Sequence, residues 1–76
     1  MEELKNLIGC GDSQVEARAK AALELTEMHE AGDLTVSEYK ELMGDIARTA
    51  EIEDHAADVQ MKSMLIKGIA TATSLL

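Results

Sequence analysis

Seventy-six residues with 46% hydrophobic side chains, no Phe, no Trp and one Tyr describe one small domain, residues 1–76, with a thin core, because aromatic side chains normally supply the large buried areas. A formal charge of −8, from 15 acidic against 7 basic residues, excludes direct nucleic-acid binding and attraction to anionic membrane surfaces, both of which need clustered Lys and Arg. A single cysteine excludes an internal disulfide, so a chain of this size is expected to lean on oligomerisation or on a larger partner.

Proline is absent, and no position forbids a helix on that account. Residues 2–8 read as one or two helical turns, with Leu4, Leu7 and Ile8 on one side and acidic residues at the start that suit the helix dipole. This element is expected to act as a cap. Leu7-Ile8-Gly9-Cys10 has the form of a bacterial lipoprotein cleavage site, but what precedes it lacks the basic start and the apolar run of roughly 7–15 residues that a signal requires. Cys10 is therefore read as a reduced thiol in a glycine turn.

After the Gly9-Cys10-Gly11-Asp12 connector, Ser13-x-x-Glu16 forms a capping box that opens the first principal helix, residues 14–31. Its apolar positions make one stripe of Val15, Ala19, Ala22, Leu23 and Thr26, and an adjacent one of Ala17, Ala21, Leu25 and Met28. Ala31-Gly32-Asp33 is a stop signal in which Gly32 takes the left-handed conformation. Thr35-x-x-Glu38 is a second capping box, with Leu34 placed to pack on Tyr39 as a hydrophobic staple. The second helix starts near Val36 and turns Tyr39, Leu42, Met43, Ile46 and Ala50 toward the first; Met28 and Met43 are assigned to the core.

Beyond Ala50 one stripe continues through Ala57, Met61, Met64, Leu65, Gly68, Ala72 and Leu75, and a second appears at Ile52, Val59 and Ile66. Two stripes need two neighbours. A first helix of about 18 residues is roughly 27 Å long and cannot cover a second helix of about 40, so the distal half must find cover on another chain. The expected fold is all-α: a short N-terminal helix, then a capped antiparallel hairpin whose long second helix extends to the C-terminus, in an oligomer. A bend near Gly44 or Thr49 that folds the tail back is the alternative, and no stop signal like Gly32-Asp33 supports it. The interface is assigned to Val59, Met61, Met64, Leu65, Ile66, Ile69, Leu75 and Leu76.

Sites for chemistry are weak. Glu51, His55 and Asp58 share a face if the helix is continuous, but Ile52 stands three before His55, where a di-iron helix pair would carry Glu. A solvated acidic face is the favoured reading. His29 fits a histidine at a helix C-terminus. The loop from Asp33 has Glu38 and Gly44 where a calcium loop needs glycine and glutamate, and nothing brings a histidine to Cys10. No catalytic residue, cofactor or metal ligand is assigned.

Leu25-x-x-Met28-x-x-Ala31-Gly32-Asp33-Leu34-Thr35-x-x-Glu38-Tyr39-x-x-Leu42 resembles the short helical hairpin known as the SHOCT domain over residues 23–46. That resemblance implies oligomerisation or docking and no catalytic residues. In overall texture the chain also resembles small all-helical proteins of tailed bacteriophages that act in virion structure or assembly. The expectation is a non-enzymatic helical assembly protein, cytoplasmic or carried in a virion. Its partners would be itself or a larger protein, with no nucleic acid, membrane or small-molecule substrate. The rival is a small acidic inhibitor or adaptor that occupies a basic site on a nucleic-acid-binding protein.

Overall fold

A computed structural model describes residues 2–53, 55–74 and 76. Four helices follow in order: α1 (Glu2–Asn6), α2 (Ser13–Glu30), α3 (Val36–Glu53) and α4 (Val59–Ser74). The described residues contain no strand.

The turn between α2 and α3 forms as the local residues dictate. Gly32 has φ +86°, the Asp33 amide donates to the Met28 carbonyl at 2.9 Å and the Gly32 amide to the His29 carbonyl at 3.1 Å, which together make a Schellman motif. The Thr35–Glu38 box closes reciprocally: Glu38 Oε1 accepts from the Thr35 amide at 3.0 Å and Thr35 Oγ1 from the Glu38 amide at 3.1 Å. Across the turn Thr26 Oγ1 and Tyr39 Oη lie 2.7 Å apart, and the His29 ring stacks on Tyr39 with centroids at 4.7 Å. The one aromatic hydroxyl is thereby satisfied where its ring is buried.

At the other end of α2 the first capping box does not form. Asp12, one residue earlier, is the cap, with Oδ1 accepting from the Gln14 and Val15 amides. Glu16 reaches back instead to the Gly9 amide at 3.1 Å. Gly9 and Gly11, at φ +79° and +93°, bend the connector so that the carboxylates of Asp12 and Glu16 meet main-chain donors.

The long second helix is a correction. α3 ends at Glu53 and a separate helix begins at Val59, so the tail folds back between those two helices and not at Gly44 or Thr49. Asp58 caps α4, accepting from the Met61 amide at 3.0 Å, while its own amide donates to Asp12 Oδ2 at 2.6 Å. α4 packs on α1, α2 and α3. Leu4, Leu7, Val15, Met43 and Leu65 are the largest fully buried side chains, joined by Ala19, Ala22, Tyr39, Ala50 and Ile69.

The cover that the tail needs comes from its own chain, chiefly from the helix that looked like a cap. At Gly68 an added Cβ would meet the Leu4 side chain at 3.0 and 3.1 Å and Glu3 Cβ at 3.2 Å, so glycine lets α1 lie directly on α4. The surface of 4579 Å² equals the roughly 4,500 Å² of a compact 8 kDa monomer, and the 11.5 Å radius of gyration matches the ~11 Å expected at this length. The core is closed without a second molecule. Met28 and Leu42, expected inside, are 42% and 39% exposed; of the second α2 stripe, Ala17 is exposed with Met28, while Ala21 and Leu25 are half-buried and Leu25 packs against the core.

The two helical glycines should therefore respond oppositely. Gly44 has open space around its Cβ position, so Gly44→Ala should raise stability by about 0.5–1 kcal/mol through helix propensity. Gly68→Ala should lower it by about 1 kcal/mol, since the Leu4 side chain and Glu3 Cβ must give way to admit the new methyl group. Urea midpoints of the two variants check this; a gain at both positions would contradict the α1–α4 packing.

Candidate functional site

Of the eight residues assigned to an interface, the seven that the structure describes divide into three groups. Leu65 and Ile69 are 0% and 3% exposed: they belong to the intramolecular core, because α4 turns this stripe inward once it lies against α1 and α3. Met61 and Ile66 are half-buried, Met61 packing against the core. Val59, Met64 and Leu76 are exposed, at 76%, 42% and 47%. Leu75 lies outside the described residues.

What the fold leaves uncovered is the second tail stripe. Ile52 is 60% exposed and Val59 76%, and half-buried Ile66 lines two adjoining hollows of about 350 and 380 Å³ along the α3–α4 seam. The first is floored by Gly44, Ala47, Ile69 and Ala70 with Lys40 at its edge. The second runs between Glu51 and Val59, Lys62 and Lys67. Small residues on both helices keep this seam shallow and open, since neither Gly44 nor Ala47 fills the space beside α4. Sequence reasoning missed Lys40, Gly44, Ala47 and Ala70; the signal was the pair of small residues at 44 and 47, of which Gly44 reads there only as a possible bend.

Charge is segregated across the same boundary. α4 carries Lys62 and Lys67 and no acidic residue, so all 15 acidic side chains lie on the other elements and loops. The ion pairs given by Lys20–Glu16 at 3.5 Å and Arg48–Asp45 at 2.7 Å are exposed and local, and Arg18–Glu53 at 4.0 Å is loose. Pairs of this kind add little to stability.

The acidic cluster does not assemble as a site. Because α3 ends at Glu53, Glu51 and His55 point from an exposed helix end and an exposed turn, and the Asp58 carboxylate is engaged in capping α4. No group of three or more His, Cys, Asp or Glu side chains among the described residues is arranged to hold a metal ion. Cys10 is a half-buried free thiol that donates to the Asp12 carbonyl at 3.8 Å. No described helix is long and apolar enough to cross a membrane.

No protein-family model matches the chain, and the searches of curated proteins and of solved structures find no match either.

The Asp12 carboxylate lies beside the α4 amino end and is held in its charged form by main-chain amides. The Asp58 amide, after it the Val15 amide and, least, the Gln14 amide hold its pKa below the ordinary 3.8 against an opposing effect of burial. A folded-state value below the unfolded one means that the junction stabilises the fold fully above pH 3.8 and loses that contribution as pH falls through the lower, folded value. Asp12→Asn retains one acceptor and should lower the urea midpoint at neutral pH, with the gap to the parent closing as the solution is acidified below that range. A gap that is absent at neutral pH, or constant with pH, would contradict the junction.

Proposed function

We propose that this chain is a non-enzymatic helical assembly module that associates through the α3–α4 seam. One observation carries the reading: after the first tail stripe is buried, Val59, 76% exposed, and half-buried Ile66 line two open hollows between α3 and α4. Solvent-exposed branched aliphatic side chains next to an unfilled groove between helices are the usual form of a helix-docking site. The lysines at the rim and the acidic remainder of the chain supply orientation and partner choice more than affinity.

The tail's own burial changes the basis of this proposal. Assembly is not required to complete a core; it would be a contact between closed domains, with an interface at the small end of the range for specific complexes. Affinity should accordingly be moderate and concentration-dependent.

Sedimentation equilibrium or light scattering up to about 1 mM, where an association worth only ~4 kcal/mol half-assembles, should give a mass above the monomer. Ala70→Glu, which fills one hollow from an exposed helix position, should return the mass to that of the monomer with helical content and melting unchanged. A parent chain that stays monomeric through this range would refute self-assembly, and an Ala70→Glu chain that assembles like the parent would refute the seam.

A further inference from the structure

We infer that the α3–α4 groove is covered by the same groove of a second copy, with the two α3 helices antiparallel across a two-fold axis at the level of Gly44 and Ala47; this rests on the groove being the docking surface. The basis is the order of residues along its α3 wall. Lys40, Gly44 and Ala47 line the first hollow and Glu51 the second, at intervals of four, three and four residues that keep all four on one face of the helix. Lys40 and Glu51, both exposed, stand about 16 Å apart along the axis. They share their midpoint with the half-buried pair Gly44 and Ala47.

That shared midpoint makes the face complementary to itself. When two copies of α3 run in opposite directions with their midpoints together, Lys40 of each faces Glu51 of the other, and Gly44 of each faces Ala47 of the other. A Cβ at Gly44 would meet nothing within 4 Å and Ala47 carries only a methyl group, so the two helices can approach at the close end of the roughly 8–10 Å range for packed helices. The second copy then covers Val59 and Ile66 on the α4 wall, which this chain leaves exposed and half-buried.

The same charges reject the alternatives. Parallel copies set Lys40 against Lys40 and Glu51 against Glu51, and a foreign helix of one charge sign satisfies one end of the face while opposing the other. Lys62 takes no part in this choice, since it already interacts within the chain. Exposed Lys67, at the rim of the second hollow, keeps its ammonium in water on its long stem. A two-fold contact uses each groove once and stops at two chains.

Charge reversal tests the register. Lys40→Glu and Glu51→Lys each turn two opposite-charge pairs into two like-charge pairs, because every change counts twice across a two-fold axis. Each single variant should associate about tenfold or more weakly than the parent in sedimentation equilibrium. An equimolar mixture of the two should form a dimer with one chain of each kind, and a chain carrying both changes should dimerise as the parent does. Both positions are exposed, and circular dichroism checks that each variant folds. Weakening by Glu51→Lys also separates paired charges from general repulsion, which that change relieves in a chain of charge −8. Single variants that associate like the parent, a mixture or a double variant no tighter than the singles, or a parent that grows beyond two chains overturns the two-fold register, and groove docking still stands if Ala70→Glu abolishes association. A parent that stays monomeric, or an Ala70→Glu chain that associates like the parent, overturns both.

Discussion

One carboxylate joins the two ends of this fold. Asp12 uses Oδ1 to cap α2 through the Gln14 and Val15 amides, and Oδ2 to accept from the Asp58 amide at 2.6 Å, 46 residues further along the chain. Asp58 in turn caps α4. The amino ends of two helices, each with unpaired amides and a partial positive charge, thus converge on one anion, and the direction in which α4 leaves the turn is fixed there. Everything that follows depends on that direction: α4 lies on α1, Leu4 seats on Gly68, and a core without Phe or Trp closes on Leu, Met, Val and closely approaching alanines.

Closure of this kind decides which apolar residues remain available. A straight continuation of α3 would have exposed the whole tail; the reversal buries Leu65, Ile69 and Ala72 and leaves Ile52, Val59 and, in part, Ile66 outside. It also brings the acid-free α4 beside acid-rich α3, so that an apolar seam acquires a basic rim in a chain of net charge −8. The proposed role in assembly follows from this surface and no longer from an incomplete core.

Local signals were legible in the sequence and long-range ones were not. The Gly32 stop and the Thr35–Glu38 box are made by residues within a few positions of one another, and the turn forms as read. The first box was displaced by one residue because Glu16 found the Gly9 amide across the connector, a competitor that spacing alone does not rank. The break before α4 was hidden for a similar reason: Asp58 has Met61 where a reciprocal box would carry Glu, and its own amide is satisfied by Asp12 from the far end of the chain. α1, five residues long, gave too short a pattern to be recognised as the cover for α4, and Gly68 read only as one position of the tail stripe when it is the contact point. Of the interface assignment, Val59, Met64 and Leu76 proved exposed, while Leu65 and Ile69 obeyed the same periodicity but faced inward. Periodicity identifies a stripe and does not say who covers it.

The central claim is that the tail is covered by its own chain, and it is tested most directly at the α1–α4 contact. In a nuclear Overhauser experiment on a mixture of isotope-labelled and unlabelled chains, filtered to separate contacts within a chain from those between chains, the Leu4 methyl protons should show strong cross-peaks to the Gly68 α-protons of the same chain. Absence of those cross-peaks, or their appearance only between chains, would contradict the fold-back on which the account stands.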